Sequence, residues 1–127
     1  MTSVLEPLVI KGRVKNVTIP GRLILAPMAG VSDLPFRILC KEQGADLVCM
    51  EMISAKAITY GNRNPMELMR TVPEEAPVSL QLFGHEPGVM AEAIDILEHD
   101  DRICFDLLDI NMGCPVKKSV NNGEGSA

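Results

Sequence analysis

The residues best equipped for chemistry lie near the end of the chain, in Asp109-Ile110-Asn111-Met112-Gly113-Cys114-Pro115. A thiol held between glycine and proline, just past an apolar run, can serve as proton donor or nucleophile at the mouth of a pocket. Gly113, Gly123 and Gly125 leave room for a flat ligand to approach the backbone. The plain alternative is that Cys114 only fills space. Asn111 carries a donor and an acceptor together, which suits the edge of a nitrogen heterocycle; a turn role explains it equally well. Gln81 interrupts the apolar run Pro77–Phe83, where a buried amide must find partners on another strand or on a ligand. Pro27-Met28-Ala29-Gly30 has no reactive group. It offers backbone amides, carbonyls and a soft thioether that packs well on a planar ring, or it is simply a tight turn.

The remaining polar inventory is weaker. Cys40, Cys49 and Cys104 read as packing residues, and His85 and His99 as surface residues. Glu51 could face the pocket, although one half of a strand-end salt bridge is the better reading. Lys117 and Lys118 stand where they could meet phosphates, although paired loop lysines are usually just solvated.

Function of this kind requires elements that bring strand ends together. Leu8–Ile19 alternates loosely around Lys11-Gly12, the pattern of a short hairpin or edge ribbon. Arg22–Ala26, Asp46–Met52, Pro77–Phe83 and Leu107–Ile110 are short, nearly continuous apolar runs, as strands buried on both faces require. Between them, Ser32 or Asp33 can cap a helix to about Gln43, with Leu34, Ile38 and Leu39 at helical spacing and Gly44 as its stop. Ser54–Tyr60 and Pro65–Arg70 suit one or two short helices. Pro87–His99 is amphipathic, with Met90, Ala93, Ile94 and Leu97 on one face. A glycine-rich loop, Met112–Ser126, closes the chain.

The order β-α-β-α-β-α-β predicts an α/β protein with a parallel sheet and right-handed crossovers. Both doubly wound sheets and (β/α)8 barrels fit the pattern, and in both the chemistry gathers at the carboxyl ends of the strands. A complete barrel needs about 250 residues, so 127 residues suggest the first half of one, truncated after strand 4 without its fourth helix.

Composition excludes several classes. No run approaches the roughly 20 apolar residues of a membrane span, and no basic-then-apolar leader opens the chain. The four cysteines, at 40, 49, 104 and 114, form no C-x-x-C pair, which argues against a zinc or thioredoxin-like centre. A cytoplasmic protein with reduced thiols is expected. With a net charge of −5, the chain does not capture nucleic acid by electrostatics alone.

Taken together, LAPMAGVSDLPFR (Leu25–Arg37), SLQLFG (Ser79–Gly84), DINMGCPVKK (Asp109–Lys118) and GEGSA (Gly123–Ala127) closely resemble the tRNA-dihydrouridine synthases of bacterial type. The segments occur in the family's order and extend over nearly the whole chain. The resemblance implies the amino-terminal part of an FMN-binding (β/α)8 (TIM) barrel in residues 1–127. The implied activity is reduction of a tRNA uridine to dihydrouridine, with NADPH reducing the flavin and the flavin passing a hydride to C6. It also implies roles for residues: Cys114 as the general acid protonating C5, Pro27, Met28, Ala29 and Gln81 as flavin contacts, and Asn111 as a contact to the target base. The family's flavin-holding lysine and histidine, its phosphate-binding loops and its carboxy-terminal tRNA-gripping helical domain fall beyond residue 127. This chain alone is therefore expected neither to hold FMN tightly nor to reduce tRNA.

Two other readings remain open at this point. An FMN barrel acting on a small pyrimidine would use similar strand-end chemistry. A half-barrel with unpaired edges could instead self-associate without catalysis.

Overall fold

A computed structural model describes residues 6–10 and 16–127. Strands β1 (Leu8–Ile10) and β2 (Val17–Ile19) pair antiparallel, with Leu8 opposite Ile19. This is the expected ribbon, although its turn lies outside the described residues.

The main sheet is parallel throughout. Strand β3 (Ile24–Leu25) pairs with β4 (Leu47–Cys49), and β4 pairs with the start of β6 (Val78–Phe83). The expected strand Asp46–Met52 is the shorter β4, and an additional short segment, β5 (Ile53–Ser54), pairs with the far end of β6 on the side that β4 also occupies. Strand β7 (Leu107–Ile110) lies along the other side of β6, as the sequence predicts. The chain thus alternates parallel strands with helices, in the order of the first four strands of a (β/α)8 barrel, and the sheet is open among the described residues.

Side-chain alternation along these strands defines two faces. Val48, Met50, Val78, Leu80 and Leu82 point to the outer layer and join Ile58, Ala93 and Leu97 in the main core. That layer comprises α1 (Leu34–Glu42), α2 (Ala55–Thr59), α3 (Arg63–Leu68) and α4 (Pro87–Glu98). On the concave face, Leu47 and Cys49 pack with Ile19 of the ribbon, beside Leu107. The ribbon thereby covers the amino ends of the strands and leaves their carboxyl ends free for a site.

Local chemistry explains the boundaries of α1. Asp33 Oδ1 accepts the Phe36 amide at 3.0 Å, so Asp33 is the cap, with Pro35 in the first turn. Gly44, at φ +100°, stops the helix in a conformation other residues avoid. Ser32 has another job: its hydroxyl bridges the amide and carbonyl of Met28 at 3.0 and 3.1 Å. The expected apolar stripe needs correction. Leu39 is exposed, and the buried residue of α1 is Arg37. Arg37 Nε lies 2.7 Å from Glu75 Oε2, and both side chains are fully buried. Its other nitrogens donate to the carbonyls of Ser32 and Arg70 at 2.9 and 2.8 Å. Glu75 belongs to a single 3-10 turn, Pro73–Glu75, ahead of β6.

Other differences have equally local causes. The closing loop contains a short helix, α5 (Lys117–Asn121), which a glycine-rich reading overlooked. Cys104 is exposed rather than packed, because Ile103 takes the buried position before β7 and the Cys104 amide bonds to Thr71 Oγ1 at 3.0 Å. On the outer face of β7, Leu108 and Ile110 are exposed, since none of the described helices covers that strand. Among the described residues, no helix is long and apolar enough to cross a membrane.

Candidate functional site

At the carboxyl ends of β6 and β7, three of the sequence-predicted residues meet. Gln81 and Asp109 are directly opposed across the β6–β7 ladder, both on the concave face. The Gln81 Nε2 donates to Asp109 Oδ2 at 2.6 Å, a short, charge-assisted bond. Gln81 Oε1 accepts from Asn111 Nδ2 at 3.0 Å. Asn111 follows β7 directly and prolongs the ladder by donating its backbone N–H to Leu82 at 2.8 Å. Its Oδ1 accepts the amides of Gly113 and Cys114 at 3.1 and 3.0 Å, an asparagine-nucleated turn. Asp109, Gln81, Asn111 and the Cys114 backbone therefore form one continuous run of hydrogen bonds.

The Cys114 turn is also held from the other side. Its carbonyl accepts from the Ser126 amide and hydroxyl at 3.1 and 3.2 Å. Gly125 permits this return with φ +62°, and a Cβ there would collide with the Cys114 carbonyl oxygen. Gly125→Ala should therefore displace the turn. A reacting group misplaced by about 1 Å loses up to about 10²-fold in rate, whereas the left-handed backbone penalty is only about 1–2 kcal/mol. Activity assays and urea melts of this variant, in a chain completed to the length of its relatives, test that split; an equal loss in both would show that the turn matters only for folding.

Pro27, Met28 and Ala29 lie at the end of β3, two strand positions from Gln81, and make no direct bond to it. Their turn is closed by the Val31 and Ser32 amides donating to the Met28 carbonyl at 3.0 and 2.9 Å. Glu51, beyond β4, accepts the Gly30 amide at 2.9 Å. This corrects the expected salt bridge: the Glu51 carboxylate is spent on tying the Pro27–Gly30 turn to the neighbouring strand.

The Cys49 thiol is packed beneath the ribbon rather than presented at the strand ends. Burial pushes the Cys49 pKa up; the Ser79 hydrogen bond opposes this and the Asp109 charge adds to it, so the thiol stays protonated within the packing. Cys114 is the half-buried thiol at the strand ends. His85 is exposed, as expected, and lies 3.5 Å from Glu86 and 3.7 Å from the buried Glu124. His99 is exposed, as expected. Among the described residues, no group of His, Cys, Asp or Glu is arranged to hold a metal.

A groove of about 880 Å³ opens elsewhere, lined by Ile58, Arg63, Arg70, Ile96 and Arg102 among others. It shares no residue with the concave cluster. Its Arg102 is already bound to both oxygens of Asp100, at 2.8 and 2.6 Å. The convergent, oriented polar groups are on the concave face, and the site is assigned there.

Comparison with known proteins decides the family. The model of the dihydrouridine synthase family matches residues 24–127. The chain belongs to the dihydrouridine synthase family. Among its relatives are tRNA-dihydrouridine synthase B of Pseudomonas aeruginosa, 41% identical over 115 residues, and that of Xanthomonas campestris pv. campestris, 45% identical over 111. These alignments cover 91% and 87% of the chain but 34% and 32% of the relatives. A protein of Oryza sativa subsp. japonica named tRNA-dihydrouridine(47) synthase [NAD(P)(+)]-like is 37% identical over 113 residues, 16% of its length. The chain thus spans about a third of the length of the bacterial relatives it matches.

Sequence reasoning missed the parts that two residues play in this cluster. Asp109 stands out in the sequence only as part of a motif; its place two residues before Asn111, on the same face of β7, is the available signal. The role of Glu51 left no signal in the sequence, because its partner is a backbone amide 21 residues away.

Proposed function

We propose that this chain forms the amino-terminal part of an FMN-binding barrel that reduces a uridine of tRNA to dihydrouridine, with NADPH as the reductant. The observation that carries this reading is the continuous hydrogen-bonded run from Asp109 to the Cys114 turn, at strand carboxyl ends in a chain of this family.

The residues present suit a flat heterocycle. Gln81 and Asn111 hold oriented amides on the concave face, and the space in front of Gly113 is open. The thioethers of Met28 and Met112 are exposed near those strand ends, ready to pack on a ring. Gln81, with the backbone of Pro27, Met28 and Ala29, would hold the flavin, and Asn111 the target base. Bound there, FMN would supply the hydride. The chain's own contribution is position and a proton. Cys114 holds that proton at Sγ and releases it to C5 of the uracil, leaving a thiolate. Asn111 keeps the turn that carries Cys114 beside the edge of the base. The uracil must leave its stack to lie in such a site, and the glycine-lined mouth leaves it room. The −5 charge supports a division in which other parts of the protein grip the tRNA phosphates.

In a chain completed to the length of its relatives, Gln81→Ala is expected to weaken FMN about tenfold, the worth of one good hydrogen bond to a buried ring. Quenching of flavin fluorescence during titration measures it, and an unaltered affinity would remove Gln81 from the flavin site. Turnover on tRNA but not on free uracil or orotate separates this reading from a small-pyrimidine dehydrogenase.

A further inference from the structure

We propose that Asp109 is the positioning residue of this site, the carboxylate that sets the polarity of the Gln81 and Asn111 amides. The inference rests on the reading of Gln81 and Asn111 as the residues that face flavin and base.

An amide side chain can be turned end for end at little steric cost, which exchanges its donor for its acceptor. A ligand-binding amide is useful only if that choice is made beforehand. Here it is made from both ends of the run. An ionised carboxylate only accepts, so the end of Gln81 facing Asp109 Oδ2, 2.6 Å away, must be the nitrogen. Gln81 Oε1 then faces Asn111, which must present Nδ2. At the far end, the Gly113 and Cys114 backbone amides only donate, so they require Asn111 Oδ1. The two constraints agree, and no member can turn without breaking a bond.

The consequence is chemical. Gln81 Nε2 has two protons and Asp109 takes one, which leaves a single N–H for a ligand acceptor. The site therefore presents a donor at this point, suited to a ring carbonyl or imine nitrogen. Without Asp109, Gln81 could rotate its nitrogen away or present its oxygen instead. Asn111 would lose a fixed partner, and with it the Cys114 turn.

The test uses the 15N-labelled chain with Asp109→Asn and Asp109→Leu, reading the side-chain amide signals of Gln81 and Asn111. In the unsubstituted chain, one Gln81 proton is expected downfield and slow to exchange, as a charge-assisted bond requires. Asp109→Asn, which keeps the size and an acceptor but removes the charge, should move it partway upfield. Asp109→Leu should move it to the position of a free amide, with exchange about tenfold faster and the Asn111 pair shifted too. Identical Gln81 signals in the asparagine variant would overturn the proposal, because a side chain that merely fills space would behave that way. Should the leucine variant fail to fold, the asparagine variant decides alone. FMN titrated into the same variants, and into Gln81→Ala, of a chain completed to the length of its relatives examines the underlying reading separately. If the amides move but no variant changes FMN affinity, Asp109 keeps its positioning role and the flavin assignment falls.

Discussion

Replacing Cys114 with alanine, in a chain completed to the length of its relatives, is expected to lower uridine reduction by about 10²–10⁴-fold, the usual contribution of a positioned general acid. FMN affinity should not change, because the flavin contacts assigned here lie on β6 and on the Pro27–Ala29 turn. The fold should hold as well. What anchors the turn is backbone: the Cys114 amide on Asn111 and the Cys114 carbonyl on Ser126, both retained by alanine. Serine is expected to recover little, since a hydroxyl of the same shape is a far weaker acid than a thiol. Measuring dihydrouridine formed per tRNA, alongside a flavin titration of the same variant, separates chemistry from binding. Near-normal turnover in Cys114→Ala would assign the proton to another group and reduce Cys114 to packing. The other free cysteines offer no ready substitute: Cys49 is packed beneath the ribbon, and Cys40 and Cys104 belong to the outer layer and the loop before β7.

The second large effect concerns stability. Arg37 and Glu75 are completely buried, and the guanidinium makes four hydrogen bonds, two to the Glu75 carboxylate and two to backbone carbonyls. Removing one member of such a pair strands a charge in the interior, which costs about 3–5 kcal/mol. That is a large part of the roughly 5–15 kcal/mol by which whole domains are stable. Arg37→Met should therefore leave the protein largely unfolded or markedly easier to denature in urea. The double variant Arg37→Met with Glu75→Leu should regain much of the loss, because well-packed apolar replacements for a buried pair are often neutral or better. If the double variant were as unstable as the single one, the pair's bonds to the Ser32 and Arg70 carbonyls, rather than charge compensation, would be what the fold needs. The location links this to the site: Ser32 follows the Met28–Gly30 turn, and Glu75 precedes β6, which carries Gln81. Loss of the pair should loosen both.

Much of this protein was legible in its sequence because the relevant physics is local. The run Leu107–Ile110, the helix Pro87–Glu98 and the cap at Asp33 each depend on periodicity or on a side chain reaching a backbone amide within a few residues. A β-α alternation with apolar strands leaves few sheet topologies, so the parallel order followed. The segments around Pro27, Gln81 and Cys114 were visible together, since they stand at strand ends whose positions those patterns define. Tertiary structure alone decided which groups touch. Gln81 meets Asp109 across 28 residues because β6 and β7 adopt one register, and a slip of one residue would turn Asp109 to the outer face. Arg37 reads as the polar side of a helix until Glu75, 38 residues later, arrives to neutralise it. Glu51 looked ready for an ion pair until the Gly30 amide took it. Nothing within one strand encodes such partners: a buried polar group must be satisfied, but the chain states only where it ends up in space who satisfies it.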